Sequence, residues 1–513
     1  MRIAQAWKII AAIDVGSNYL KMTIGEINPQ GEVNILEDVV KTTKIGKDTY
    51  SKARISVQTI HETCDDLKGF VRLMKDYKIK FYKAVATSGI REAENKQYVL
   101  EQIRLRTGLI IESINIAEEQ FFMLKAVRNH VNSIDIKKSE QYLIVNITSG
   151  AVETSIYEEG ILKFTEHVKI GSLRIRESLS DLETKTIEFS RTMDQYIESK
   201  IYALKPQIKK FEINHFLGLG GELNAICGII RKKKGINKKD YYIKKEALSA
   251  LIEEISKMDN FQIKTTFGLS NKTAELLLPS ILIFNCFLKM TKAEGIQVPK
   301  LSLRQGILYD LSDTILNIPR RKELINDIIS SVWYIGEKYQ IDKEHAIFVE
   351  KFSLEIFDHT KRLHKLGDRE RLYLQVAAIL HDVGGFISAN DHNLHSYNII
   401  KAQSIIGFSD IALELIASAA MYHSDDIPIS SHENYRYLSD GDKMIVSTLS
   451  AILKLSEALD ISHMQKIKEI KLIGTKDSMF FNIKSEEDII LEEWNFLKYV
   501  DFFEEVIGVK PII

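Results

Sequence analysis

The sequence predicts an α/β protein of two similar lobes, followed by an all-helical domain and a small α+β module. Three observations predict it. Strands that end in turns of small residues, and lead on into a second strand or a helix, recur in both halves of residues 9–315, the pattern of two related lobes facing one cleft. Residues 321–465 change to almost unbroken helical periodicity and carry nine of the 13 histidines. Residues 466–513 return to strands, Ile467 to Ile473 and Met479 to Ile483, with a last helix from Glu492 to Val506. The expected domains are therefore residues 1–135, 136–318, 319–465 and 466–513.

The composition bounds the functional classes. A hydrophobic fraction of 45% and a charged fraction of 27% are those of a globular protein with ample core. Lys and Arg (69) balance Asp and Glu (70), so no global field draws the chain to nucleic acid, and any polyanion must be captured by a local cluster. Cys64, Cys227 and Cys286 are far apart and have no metal-ligand spacing, which reads as a reduced, cytoplasmic protein. The apolar start ends at Asp14 without a cleavage site and reads as the first strand. The most apolar later segment, Leu276 to Leu288, is interrupted by Pro279 and Asn285 and is too short to span a bilayer, so no membrane role is expected.

In order along the chain, Asp14-Val15-Gly16-Ser17-Asn18 turns the first strand into a returning one, with Gly16 read as a position for positive φ. Ser56 to Tyr77 has helical spacing and Lys80 to Ala86 reads as a strand. The loop Ala86 to Ala93 then opens a helix beside Arg91, a pairing suited to an anion. Leu109 to Ile114 reads as a strand, and Glu118 and Glu119 start the helix that follows, either as partners of its dipole or with one as a general base.

Tyr142 to Tyr157 reads as a strand, a turn at Thr148-Ser149-Gly150, and a second strand carrying Glu153. A strand from Ile161 to Ile170, a long helical region to about Ile208, and a strand from His215 to Leu219 follow. The last of these ends in the glycine-rich turn Gly218 to Asn224, which includes Gly220 and Gly221. The run Ile230 to Lys239 is the strongest basic patch, read foremost as a solvated face.

These stretches in this order, AIDVGSN, ATSGIREAEN, EEQ, the 146–153 turn and GLGGELNA, with LSLRQGILYD from Leu301 to Asp310, resemble the exopolyphosphatase and guanosine pentaphosphate phosphohydrolase (Ppx/GppA) family. The resemblance implies two lobes of the actin, Hsp70 and sugar-kinase type. It also implies release of terminal phosphate from polyphosphate or guanosine pentaphosphate with Mg²⁺, by a cytoplasmic homodimer. Matched to the family, Asp14, Gly16, Ser17 and Asn18 form the first phosphate loop, and Ser149, Gly150, Gly220 and Gly221 line the second side. Arg91 holds phosphate, Glu119 activates water, and Asn146 and Glu153 hold the metal.

The second phosphate loop departs most. Asn146, Thr148, Ser149 and Ala151 stand where the family has Asp, Gly, Gly and a hydroxylated residue, so weakened turnover is expected. Thr148 and Ser149 are expected to strain backbone that Gly would relax. Glu222 replaces a small hydroxylated residue and brings negative charge toward bound phosphate, Lys21 stands for Arg, and Gln305 for Glu. A binder of polyphosphate or of the alarmone without turnover is therefore the alternative function.

The helical region resembles the HD phosphohydrolase superfamily through His345, His381-Asp382 and Asp460, as in long members of the Ppx/GppA family. That resemblance implies a divalent ion on these four residues, which His392, His395 and His423 would extend to a second. Metal-dependent hydrolysis at this site is a further alternative.

Overall fold

The computed structural model describes residues 7–131, 141–183, 185, 188–234, 241–318, 321–424 and 426–513. It divides into two compact units, one ending at Asp327 and one beginning at Ile328.

The first unit contains two sheets of matching topology. In one, β1 (Lys8–Val15), β2 (Tyr19–Ile27) and β3 (Val33–Thr42) are antiparallel neighbours. Strands β4 (Phe81–Ala86) and β5 (Glu112–Ser113) continue parallel on the other side of β1, giving the order β3-β2-β1-β4-β5. In the other, β6 (Tyr142–Ile147), β7 (Val152–Glu158) and β8 (Ile161–Val168) are the antiparallel trio. Here β9 (His215–Gly220) runs parallel to β6, with β10 (Tyr242–Lys244) and β11 (Gly295–Gln297) beyond it in the order β10-β11-β9-β6-β7-β8. The repeat anticipated from the strand–turn pattern is thus a repeat of connectivity.

Strands with a neighbour on each side are mostly apolar, with Asp14 and Asn146 as polar residues near the strand ends. Every residue of β6 is buried, and β1 alternates its side chains between two cores. Ala11, Ile13 and Val15 face helix Val57–Asp76, through Leu67 and Phe70. Ile10 and Ala12 face Phe122, Leu303 and Ile307. Helix Leu303–Leu316, placed with the second lobe on sequence grounds, therefore packs on the first sheet, against the helix Ile116–Val131.

The second unit is built from long helices, Lys343–His364, Asp368–Leu380, His392–Ala402, Asp410–Met421 and Asp440–Ala458. A sheet of β12 (Ile467–Gly474), β13 (Ser478–Ser485) and β14 (Lys510–Ile512) belongs to the same unit. The expected last helix is two, Ile490–Leu497 and Val500–Ile507, and the chain then adds β14 parallel to β13. Among the described residues, no helix is long and apolar enough to cross a membrane, and the three cysteines are buried.

Several local expectations are corrected. Leu109 to Ile114 yields only the two-residue β5. Gly16 does not use positive φ. Its value is space, because a Cβ there would lie 3.0 Å from the Tyr19 carbonyl. Thr148 and Ser149 are likewise outside the left-handed region, so the predicted strain is absent. Thr148 closes the turn itself, its N–H donating to Ala151 O at 2.9 Å and its hydroxyl accepting from Ala151 N at 3.0 Å. The left-handed glycines of this cleft are Gly220 and Gly221, at φ 67° and 53°. Of the basic run, residues 235–239 lie outside the described part; Lys233 pairs with Glu254 and Arg231 stacks on Tyr241.

Candidate functional site

A cavity of about 190 Å³ opens in the first unit where the strand ends and turns of both sheets converge. The end of β1 delivers Asp14, and the turn after it delivers Gly16, Ser17 and Asn18. Strand β6 delivers Asn146 and its turn Ser149; the end of β9 delivers Gly220, Gly221 and Glu222. Glu119 enters from the start of the helix Ile116–Val131, and Thr87 and Ser88 from the end of β4. Arg91, Gly150 and Glu153 stand behind this wall, each tied to a residue on it or near it.

The two carboxylates of the Glu-Glu pair divide their tasks. Glu118 Oε2 accepts from Asn115 N at 3.0 Å while Asn115 Oδ1 accepts from Glu118 N at 2.9 Å, a reciprocal cap that satisfies the helix start. Glu119, one residue on, points into the cavity. Arg91 Nη1 donates to Glu119 Oε2 at 3.2 Å and to Ile114 O at 2.9 Å, so Arg91 positions the carboxylate. Burial raises the Glu119 pKa, the Arg91 charge opposes this, and Asp14 adds to it.

The Asn146 and Glu153 pair follows from register. The two lie directly opposite on β6 and β7, and Asn146 Nδ2 donates to Glu153 Oε2 at 2.9 Å. Burial, with Glu119 nearby, pushes the Glu153 carboxyl up to about 8. Asp14 is also raised by burial, against Lys21 and Arg304. Among protein atoms, Asp14 Oδ1 and Asn18 Nδ2 are buried without a hydrogen-bond partner. The orphaned Asp14 oxygen and the three crowded carboxylates of Asp14, Glu119 and Glu153 are oxygen donors that fit a hard divalent cation such as Mg²⁺, while the Asn18 amide N–H is free to donate to an anion.

Sequence reasoning missed a hydroxyl triangle on the first-sheet side. Ser17 Oγ lies 2.8 Å from Tyr50 Oη and 3.1 Å from Ser88 Oγ, and Tyr50 donates to Ser88 at 2.8 Å. Gly150 lies over it; a Cβ there would fall 2.6 Å from Tyr50 Oη. Arg174 donates to Gly150 O at 2.7 Å, pairs with Glu92 and stacks on Tyr50, joining the two lobes. Arg304 was legible only as part of the LRQG stretch. It lines the cavity and is held by Thr23 Oγ1 at 2.6 Å and Asp38 at 2.8 Å. Burial pushes Glu222 up to about 7 despite Lys21 and Lys272.

The second unit brings its predicted residues together, with one exchange. His345 Nε2 and His381 Nε2 approach to 3.2 Å, and Glu457 Oε2 lies 2.9 Å and 3.0 Å from them. Asp382 faces the same pair. Asp460 is not among the converging atoms: it accepts from His345 Nδ1 at 2.8 Å, on the far edge of the ring, and from Gln465. The helix ends at Ala458, which turns Asp460 behind the imidazole and leaves Glu457, not picked out from sequence, at the front. Burial works against a charged His345, but Asp460 and Glu457 push it up to about 10. His392 and His423 form a second pair beside Asp382, and His395 does not join them.

Comparison with known proteins finds matches to both units of the chain. A profile of the Ppx/GppA phosphatase family matches residues 23–315, and one of Ppx/GppA phosphatase domain III matches residues 329–502. A guanosine-5'-triphosphate,3'-diphosphate pyrophosphatase of Aeromonas salmonicida is 21% identical over 434 residues, covering 83% of this chain and 82% of that protein. Among solved structures, an exopolyphosphatase from Cytophaga hutchinsonii superposes with a TM-score of 0.53 at 19% identity, over 60% of this chain and 98% of that one. The Aquifex aeolicus PPX-GPPA enzyme gives 0.50 at 21%, over 60% and 100%. These likenesses identify the fold of the two lobes as the actin and sugar-kinase type.

Proposed function

The chain belongs to the Ppx/GppA phosphatase family, and from that premise we propose that its lobe cleft hydrolyses the terminal phosphoanhydride bond of inorganic polyphosphate or guanosine pentaphosphate. The observation that carries this reading is Glu119, buried at the cavity, fixed through one oxygen by Arg91 and raised in pKa, the combination a general base near neutrality needs. The terminal phosphate sits against Ser17, Asn18 and Ser149 of the two turns, with Lys21 and Arg304 countering its charge. Glu119 takes a proton from water as the water oxygen bonds to phosphorus, and the bridging P–O bond breaks to release orthophosphate and the shortened chain.

Asp14, Asn146 and Glu153 would hold Mg²⁺, which when bound offsets phosphate charge. The test is phosphate release from both substrates with Mg²⁺. Glu119→Gln is expected to lower it about 10²- to 10⁴-fold, the usual contribution of a general base; a variant as active as the parent would refute the role. A second reading, ligand binding without turnover, draws on Asn146, whose amide donates to Glu153 where a carboxylate would bind metal. Tight binding by calorimetry with no phosphate release, and release restored in Asn146→Asp, would favour it. In the helical unit, the HD-type reading assigns a divalent ion to His345, His381 and Asp382.

A further inference from the structure

We propose that Arg174 is a positioning residue that sets the shape of the second phosphate loop and ties it to the first through Tyr50. The inference rests on the hydrolysis reading above and adds a residue that reading does not use.

Thr148 closes one side of the turn between β6 and β7 with its own hydroxyl. The other side is held from outside. Three successive carbonyls, Thr148 O, Ser149 O and Gly150 O, are taken by the start of the helix Ser172–Ser178: by Ser172 N at 3.2 Å, Arg174 N at 3.0 Å and Arg174 Nε at 2.7 Å. No space is left between the two segments, since a Cβ on Gly171 would fall 2.3 Å from Gly150 N. In a planar trans peptide the N–H points opposite to the C=O it is bonded through, so the N–H groups of Ser149 and Gly150 are turned away from the helix. Carbonyls held in this way are also kept from facing the cavity that Ser149 lines, where they would repel an anion.

Two of the three holds belong to Arg174, and one of them is made by its side chain. The same guanidinium reaches across to the first lobe. It pairs with Glu92 and lies 4.6 Å from the ring centre of Tyr50. Tyr50 Oη in turn lies 2.8 Å from Ser17 Oγ and donates to Ser88 Oγ at 2.8 Å, and both serines line the cavity. A continuous path therefore runs from Gly150 O through Arg174 and Tyr50 to Ser17, from one phosphate loop to the other.

The residue type suits the task. A planar guanidinium donates along its edge to Gly150 O and Glu92 while its face rests on a ring, and an ammonium has no such face. Phosphate bound between two turns needs both at a fixed separation, and a misplacement of about 1 Å costs on the order of 10²-fold in rate.

The test uses the full chain with Mg²⁺ and phosphate release as the first readout. Arg174→Ala is expected to lower kcat about 10- to 100-fold. Guanidinium chloride, at concentrations that leave the circular dichroism unchanged, should restore part of this loss and do nothing for the parent, because the side chain it replaces is 21% exposed and its place is open to solvent. Tyr50→Phe keeps the ring and removes the hydroxyl. Added to Arg174→Ala it should cost little more than Arg174→Ala alone, since both cut the same path. Losses that simply add, a loss that guanidinium does not restore at all, or an Arg174→Ala variant as active as the parent would each overturn the proposal and leave the hydrolysis reading standing. If the parent itself releases no phosphate, the hydrolysis reading fails, and calorimetry with tripolyphosphate decides on Arg174. Binding at least tenfold weaker in Arg174→Ala and recovered with guanidinium supports the role, whereas equal affinity overturns it.

Discussion

Glu222 sets the electrostatic balance of the cleft at neutral pH. Its carboxyl, pushed up to about 7 by burial, is neutral below that pH and negative above it, and it lines the cavity proposed to receive phosphate. Lys272, whose ammonium donates to the carbonyls of Asn18 and Thr43 at 2.6 Å and 2.8 Å, is brought down to about 8 by burial. As pH rises, Glu222 first gains a negative charge and Lys272 then loses a positive one, so both changes disfavour an anionic substrate. The KM is therefore expected to rise between about pH 6 and about pH 9. A unit charge about 8 Å away at an effective dielectric near 20 amounts to roughly 2 kcal/mol before screening, which sets an upper range of about tenfold to thirtyfold. In Glu222→Gln the step near neutrality should vanish and only that belonging to Lys272 remain. A variant profile identical to the parent's would show that Glu222 does not sense the substrate.

At the scale of elements, the helix that carries Glu119 depends on a close approach that only glycine permits. A Cβ on Gly306 would overlap the backbone carbonyl of Phe122, so the helices Leu303–Leu316 and Ile116–Val131 touch backbone to backbone there. Gly306→Ala is expected to destabilise the first unit by about 1–3 kcal/mol or more through overpacking, and to lower kcat by moving Glu119. Gly228→Ala is the contrasting case. Gly228 lies in the helix Leu223–Lys234 with nothing near its missing Cβ, so the helix should gain about 0.5–1 kcal/mol. Thermal melts of both variants check the opposite signs.

Such backbone contacts were not legible in the sequence, whereas local signals were. The hairpin at Tyr142–Tyr157, the helix after Ser56 and the core helix ending at His381 follow from periodicity and turn residues. Strand β3, mostly exposed and without alternation, and the three-residue β10 and β11 give no such signal. The same limit governs the sites. Asn146 and Glu153 are brought together in the sequence only through the family pattern, and the structure supplies the reason, a four-residue turn that sets them opposite each other. Glu457 and Asp460, three apart, share one helical face by spacing, and only the end of the helix at Ala458 decides which reaches the front of the imidazoles.

For the whole molecule, the division into two units separates two chemistries. The first unit gathers oxygen donors in a cleft between matching sheets, and the second gathers imidazoles and carboxylates among buried helices with their own core, including Val349, Phe352, Leu374 and Leu455. Units with separate cores need not unfold together, so calorimetry is expected to resolve two transitions. With Mg²⁺ held constant, Mn²⁺ at about 100 times its dissociation constant should stabilise only the second unit, by about 2.7 kcal/mol for each independent ion. For a unit of this size that corresponds to a rise of roughly 5–10 °C in one midpoint. His381→Ala should abolish the rise, and Gly306→Ala should lower the other midpoint without affecting it. A single transition, or Mn²⁺ moving both midpoints equally, would show that the two units share their stability and that the metal couples to the cleft.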